Sequence, residues 1–433
     1  MGIEHLQAVP HLNTALSGPL LQLEGLMLAN QTRIEAWFRQ LWRDTPAPFY
    51  ASVDLRNAGY KLAPVDTNLF PAGFNNLGPG TEALCIQALQ AVLERSCPTA
   101  NGVLLIPEAH TRNLFYLDSV ARLVELLRMA GYEVRLGTLA PDATGPHTLV
   151  SKSGHELTFE PVQRENDRLS VGDFRPCVVV LNNDLSSGRP AILDGVKQPI
   201  LPPPGVGWSN RLKSEHFTLY SDVAREFAEL LGIDPWLVDP LHRNCGQINF
   251  MKREGEECLA GNIDALLTQI RAKYSAYGIE QEPFVVVKAD AGTYGMAVMM
   301  VRSSDEVRQL NRKQRTKMAA GKEGLEVSGA IIQEGVYTLE TWGEKQSTAE
   351  PVVYMIDHFV VGGFYRVHTG KGTSDNLNAP GMQFEPLAFA EPCNTPDLAR
   401  APGACANRFY GYGVVARLAL AAAAREIARF GSR

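Results

Sequence analysis

The chain has 433 residues, room for about two to three domains of ordinary size. Its 45% hydrophobic and 20% charged content is that of a soluble globular enzyme, and a formal charge of −6 leaves no electrostatic footprint for nucleic acid or an anionic membrane. Such a balance suits small-molecule partners.

Residues 12–43 read as helical, with Ile34, Trp37, Phe38, Leu41 and Trp42 at the spacing of one buried face and Asn30 as cap of the second helix. Residues 49–77, FYASVDLRNAGYKLAPVDTNLFPAGFNNL, alternate as two short strands about a turn at Asn57 to Gly59. Asp54 stands on one arm and Asp66 on the other, while Asp66 and Asn68, two apart, share a strand face. Two carboxylates and a carboxamide oxygen make a hard-oxygen set suited to Mg²⁺, and Arg56 and Lys61 beside them can receive anionic oxygens. A solvated hairpin whose Asp and Asn only shape turns would use the same residues.

From Gly102 the pattern is α/β. GVLLI is a buried strand, Arg112 to Ala130 an amphipathic helix stopped by Gly131, and Tyr132 to Leu136 a second strand, the start of a right-handed βαβ unit. CVVVLNNDL, 177–185, is another strand running into a polar loop, the place where α/β sheets hold ligands. Pro202 to Pro204 marks a rigid connection. SNRLKSEHF then groups Arg211, Lys213 and His216 ahead of a helix from Ser221 to Leu231. Arg211 and Lys213 can read a substrate carboxylate, or form a solvated basic turn.

A helix from Asn262 to Tyr277 leads into PFVVVKADAGTYGMAVMMV, in which two β-rich runs, Phe284 to Lys288 and Met296 to Val301, flank a loop. With a period of two, Lys288 shares a face with Val286, and an ammonium so placed calls for a permanent anion above it. The loop holding Gly292, Thr293 and Gly295 can bring backbone N–H groups to the same anion, so the segment reads as a triphosphate site. It is not a Walker loop, because the lysine precedes the glycines and the chain returns as a strand. A plain hairpin with an outward lysine is the alternative. Residues 303–326 form a charged, solvated helix. AIIQEGV, 330–336, is a buried strand ending at Gln333 and Glu334, after which the backbone through Val336 can offer adenine an acceptor and a donor. Strands Val352 to Asp357 and Phe359 to Val367 deliver Arg366 toward a loop rich in glycine and asparagine, either to bind a transferred phosphoryl group or to close a structural ion pair. RLALAAAAREIARF closes the chain as a packing helix.

Seven cysteines, Cys85, Cys97, Cys177, Cys245, Cys258, Cys393 and Cys405, show no C-x-x-C pair or zinc spacing and read as reduced thiols. No basic-then-apolar leader opens the sequence, no apolar run approaches the ~20 residues that span a bilayer, and no H-E-x-x-H occurs among nine histidines. The expectation is a cytoplasmic protein.

Taken together these segments resemble the ATP-grasp superfamily. Over nearly its whole length the chain is similar to the bacterial glutamate–cysteine ligase family, which carries SVDLRNAGYKLAPVDTNLFPAGFNNL near its start. The resemblance implies ATP- and Mg²⁺-dependent formation of γ-glutamylcysteine, the first step of glutathione biosynthesis. The C-terminal half also resembles glutathione synthetases: VYMIDHFVVGGFYRV followed by NLNAPG implies a phosphate-binding role for Arg366 and a substrate-loop role for Asn376 and Asn378. In those enzymes a magnesium-holding D…E-x-N strand pair follows the loop, whereas here its counterpart, Asp54 with Asp66-x-Asn68, lies at the other end of the chain. The implied fold class is α/β (α+β), a circularly permuted ATP-grasp fold with a Rossmann-like domain. Residues 1–100 would complete the ATP-grasp sheet, 101–240 form the Rossmann-like domain and 241–433 the nucleotide-binding region. Lys288 and Arg366 would be catalytic, Arg56, Arg211 and Lys213 would bind glutamate, and Asp54, Asp66 and Asn68 the metal. Another carboxylate–amine ligase, such as a glutathione-synthetase-like enzyme, and a non-catalytic ATP-binding regulator are the competing readings. A homo-oligomer is compatible with either.

Overall fold

The computed structural model describes residues 12–13, 19–99, 101–108, 113–291, 297–319, 327–386 and 408–431. Helices α1 (Pro19–Ala29) and α2 (Gln31–Asp44) meet at Asn30, and Ile34, Phe38 and Leu41 of α2 are buried as their spacing predicts. Asn30 does not cap α2 with its side chain; its Nδ2 donates back to Leu26 O at 2.9 Å. Leu12–Asn13, expected to be helical, pairs instead as a short strand against Thr341–Trp342.

Strands β1 (Tyr50–Asn57) and β2 (Leu62–Asn68) form the expected antiparallel hairpin. Its turn closes through Ala58 N to Lys61 O at 2.9 Å, with Gly59 at φ 76°, a conformation costly for any side chain. Helix α3 (Glu82–Ser96) leads to β3 (Gly102–Pro107), α4 (Leu114–Met129), β4 (Glu133–Thr138) and, after two small antiparallel excursions, β5 (Val178–Asn182). β3 runs parallel to both β4 and β5 within a six-stranded sheet. Every residue of β3 and β5 is buried, as strands covered on both faces must be.

Helix α5 (Lys213–Leu231) begins at Lys213 rather than Ser221, so the basic cluster lies at and inside its first turn instead of well ahead of it. Then come β6 (His242–Cys245), α6 (Glu256–Tyr277), β7 (Val285–Ala289) and β8 (Val298–Val301). The single charged helix expected over 303–326 is replaced by α7 (Asp305–Arg308) and α8 (Arg312–Ala319), with residues 320–326 outside the described ones. Leu310 between them is buried, and Asn311 and Gln314 exchange two 2.9 Å hydrogen bonds that start the second helix afresh. β9 (Ala330–Glu334), β10 (Glu340–Trp342), β11 (Ser347–Ile356), β12 (Phe359–His368), β13 (Gln383–Pro386) and α9 (Arg408–Gly431) complete the chain.

Two of the sheets face one another across a cleft. The first is four-stranded and antiparallel, in the order β6-β9-β7-β8. The second joins both halves of the sequence, because one edge of β11 is shared: Ser347 to Ala349 pair with β10, and Val352 to Ile356 pair with β1. The N-terminal hairpin is thereby a hydrogen-bonded part of the sheet made by the C-terminal strands.

Helix α9 packs against α5 and β2, its small side chains Ala416, Ala419 and Ala421 to Ala424 wholly buried. Charged pairs pin it: Arg417 reaches Glu35 of α2 with two 2.7 Å bonds, and Glu426 accepts from Arg211 at 2.8 Å. One cysteine expectation is corrected. Cys97 and Cys177 form a disulfide, since the end of α3 and the start of β5 bring their Cα atoms to 6.5 Å. Cys85, Cys245 and Cys258 are free thiols, and Cys393 and Cys405 lie outside the described residues. Among the described residues no helix is long and apolar enough to cross a membrane.

The Arg211–Glu426 pair is almost fully buried, with side-chain exposures of 1% and 3%. Burial works against the charge, but Arg211 and His216 outweigh it and hold the Glu426 carboxyl down at about 2. Replacing Glu426 by Leu strands the guanidinium and should cost about 3–5 kcal/mol in urea unfolding at neutral pH. A depressed acid stabilises only while ionised, so the gap between wild type and variant should shrink as pH falls from about 4.5 toward about 2. An unchanged unfolding midpoint at neutral pH would contradict this role.

Candidate active site

Strand β7 alternates as its sequence predicts: Val285, Val287 and Ala289 are buried, while Val286 and Lys288 face the cleft. That cleft encloses about 790 Å³ of open space, part of it continuous with solvent, and residues of both sheets line it. From β7 and β9 come Lys288, Gln333, Glu334 and Ala289; from β1, β2, β11 and β12 come Asp54, Arg56, Asp66, Glu350 and Arg366; Lys213 enters from α5. Ser374, Asn376 and Asn378 close one side.

The hairpin register sets Asp54 directly opposite Asp66, and Asp54 opposite Val352 on β11. Arg366 Nη1 donates to Asp54 Oδ2 at 2.8 Å and to Glu350 Oε1 at 2.6 Å. Glu350 in turn accepts from Arg56 Nε at 2.9 Å, giving an alternating row of carboxylate and guanidinium. Arg366 Nη2 takes no part in these bonds, and Nε is buried without a partner. On the other side of the hairpin, Lys213 Nζ donates to Asp66 Oδ1 at 2.7 Å, and Lys288 Nζ donates to Gln333 Oε1 and to Val65 O, both at 2.7 Å. An ammonium has three N–H groups, so Lys288 keeps one in reserve.

Electrostatics follow from this arrangement. Burial, opposed by Arg366 and reinforced by Glu350, pushes the Asp54 carboxyl up. Desolvation also works against Asp66, but Lys213 and Lys288 prevail and hold it at about 2. Burial pulls the Lys288 ammonium down to about 8, with Asp66 resisting. Asp54 is thus a desolvated carboxylate, paired with Arg366 and directly opposite a second carboxylate, Asp66, a pair that a divalent cation suits.

Several expected site residues are elsewhere or otherwise engaged. Arg211 does not line the cleft; it donates to Glu426 and, at 2.6 Å, to Thr67 O, so it ties α5 to α9 and β2 instead of reading a substrate. Arg56 reaches the cleft but spends its nitrogens on Glu350, Val336 O and Asp375 O. Lys61 is fully buried and pairs with Glu334 at 2.7 Å, out of reach of any substrate oxygen. The Glu334 carboxylate also accepts from Trp236 Nε1 and Leu241 N, so its side chain is already engaged although Glu334 lines the cleft. Asn68 exchanges hydrogen bonds with the Phe70 backbone and is not among the cleft residues, because β2 ends there in a side-chain-closed turn. Lys213, Lys288, Gln333, Val336, Arg366, Asn376 and Asn378 do meet at the cleft, and Gln333 Nε2 is buried without a partner. Gly292, Thr293 and Gly295 lie outside the described residues. Glu350 escaped notice in the sequence, although a lone carboxylate inside the apolar run EPVVYMI, opposite Arg366 in the strand register, was its signal.

Among the described residues no group of three or more His, Cys, Asp and Glu side chains is placed to hold a metal. The carboxylates that fit one are two, Asp54 and Asp66, enough for Mg²⁺ when phosphate oxygens and water supply the rest. Because Asp66 is what holds the Lys288 proton on, Asp66→Asn should lower the Lys288 midpoint below about 8, read from ¹³Cε-labelled lysine by NMR. A midpoint at or above the wild-type value would break the coupling across the cleft.

Residues 24–427 match the family model for glutamate-cysteine ligase (GshA). A crystal structure from Methylobacillus flagellatus KT, provisionally named a gamma-glutamylcysteine synthetase, is 59% identical with a TM-score of 0.88, over 98% of this chain and 99% of that one. A glutathione synthetase-like effector (GSS30) from Globodera pallida aligns at 10% identity and TM-score 0.37, over 81% of this chain and 80% of its own. D-alanyl-alanine synthetase A from Vibrio cholerae O1 aligns at 12% and 0.28, over 55% and 60%. The last two similarities are too slight to bear on fold or activity. No protein of curated function matches the chain. On the family match and the close structural relative, the chain belongs to the glutamate–cysteine ligase family.

Proposed function

We propose that the protein joins the γ-carboxylate of L-glutamate to the amine of L-cysteine at the expense of ATP, forming γ-glutamylcysteine, the first step of glutathione biosynthesis. The observation that carries this reading is the meeting of Asp54 and Asp66, from the start of the chain, with Lys288 and Arg366, from its second half, in one cleft. A circularly permuted ATP-grasp arrangement goes with it, the hairpin completing the sheet that holds Arg366. Small-molecule substrates and a cytoplasmic setting belong to the same reading.

In the first step a γ-carboxylate oxygen of glutamate attacks the γ-phosphorus of ATP, the bond to the bridging oxygen breaks, and ADP leaves. The cysteine nitrogen then attacks the acyl carbon, inorganic phosphate departs with the C–O bond pair, and the new amide nitrogen gives up its proton. The reserve N–H of Lys288 is suited to a phosphate oxygen. The Nη2 edge of Arg366 is suited to the charge that grows on the transferred group, and its position is preset because Asp54 and Glu350 already hold Nη1. Asp54 and Asp66 would hold Mg²⁺, which when bound supplies neutralising charge to the β- and γ-phosphate oxygens. Gln333, whose Oε1 is fixed by Lys288, offers its free Nε2 to a base acceptor, and the Val336 segment supplies backbone groups.

Phosphate release from ATP should require glutamate and cysteine together. Lys288→Met and Arg366→Lys should each lower kcat/KM by roughly 10²-fold or more, Lys288→Met with little change in unfolding temperature. Release that is indifferent to cysteine, or variants within a few-fold of wild type, would contradict the reading.

A further inference from the structure

Helix α5 begins without a cap of its own. The residue before it, Leu212, carries no side-chain acceptor, and no side chain from that position closes the helix end. The first two N–H groups are satisfied instead by one residue far away in sequence. Asp290 O accepts from Lys213 N at 2.8 Å, and Asp290 Oδ1 accepts from Ser214 N at 2.7 Å. Its second carboxylate oxygen accepts from Ser214 Oγ at 2.7 Å, and its own N–H donates to Gly329 O at 3.0 Å. Only 5% of Asp290 is exposed. A buried carboxylate at a helix N-terminus is stabilised by the unpaired N–H groups there and in turn fixes where that terminus sits.

What sits at that terminus is the cleft cation. Lys213 is the first residue of α5; its ammonium lies 4.1 Å from the centre of the Trp208 ring and reaches Asp66 at 2.7 Å with 8% exposure. Asp290 stands two residues beyond Lys288, at the root of the loop after β7. One residue therefore ties the end of the strand carrying Lys288 to the helix carrying Lys213, and both ammonium groups line the cleft with Asp66.

We propose that Asp290 is a positioning residue that acts through Lys213, holding its ammonium in register with Lys288 so that the two together receive an anionic oxygen of the nucleotide or the acyl phosphate. This deepens the ligase reading and rests on it for the identity of the anion. Asp290 touches no reacting atom in this scheme.

The test is a double-mutant cycle with a second, activity-independent readout. Asp290→Ala should lower kcat/KM for ATP by ~10- to 100-fold in the wild-type background, and Asp290→Asn, which keeps one acceptor for Ser214 N, by much less. In a Lys213→Met background Asp290→Ala should cost under about twofold, because the group it positions is gone. A purely structural role predicts the same fold-loss in both backgrounds, and that result would overturn the proposal, as would no loss in either. Independently, labelling of Lys213 by an amine-reactive acetylating reagent, quantified by mass spectrometry, should rise severalfold in Asp290→Ala relative to wild type. Unchanged labelling overturns the proposal even if ligase activity is as expected. Absent ligation by the wild type, with labelling raised in the variant, would instead discard the ligase reading and keep the positioning role.

Discussion

Arg366, held between Asp54 and Glu350, is the interaction on which the cleft depends. Three charged groups, all nearly or partly buried, occupy adjacent strands, and Arg56 extends the row beyond Glu350. Removing Arg366 would leave Asp54 without a guanidinium, and removing Glu350 would leave Arg56 with backbone acceptors alone, changes that cost several kcal/mol in a poorly solvated place. The row is electrically balanced. Asp66 is not, since Lys213 and Lys288 both act on it. Because Glu334 is neutralised from behind by Lys61, the described residues of the cleft include four cations, Arg56, Lys213, Lys288 and Arg366, against three remaining carboxylates, Asp54, Asp66 and Glu350. A pocket with that surplus is suited to a polyanion, and its two facing carboxylates to the divalent cation that accompanies one.

That charge pattern exists only because the ends of the chain are joined in one sheet. Asp54 and Arg366 are 312 residues apart, yet the pairing of β1 with β11 and of β11 with β12 leaves them in contact. The same hairpin also reaches the four-stranded sheet, where Lys61 beyond its turn pairs with Glu334 at the end of β9. Helix α9 backs the hairpin, and the Arg211–Glu426 and Arg417–Glu35 pairs fasten it there. Stability and site are therefore built from the same long-range contacts.

Much of this was legible in the residues. Alternation on β7 placed Lys288 on the open face, and the turn residues Asn57 to Gly59 placed the hairpin. Arg366 was marked by its lone charge on an apolar strand. What could not be read was which charged residues would be consumed by remote partners. Arg211 has the same local signature as Lys213, but Glu426, 215 residues away, claims it. Glu334 is taken in the same way by Lys61, Trp236 and Leu241, none of them near it in sequence. The start of α5 was misplaced for the same reason, its cap coming from Asp290 and not from its own flank. The Cys97–Cys177 disulfide, spanning 80 residues, had no spacing signal to betray it.

Carboxylates from the first hairpin and cations from α5, β7 and β12 line one cleft, which the proposed reaction would use as a single metal–nucleotide site. Iron-directed backbone cleavage tests it most directly, with Fe²⁺ replacing Mg²⁺ in the presence of a non-hydrolysable ATP analogue and ascorbate. Cuts are expected together near Asp54 to Asp66, near Lys288 and near Arg366, and all should vanish in Asp54→Asn/Asp66→Asn. Cuts confined to one half of the chain, or cuts that persist in the double variant, would contradict the shared site.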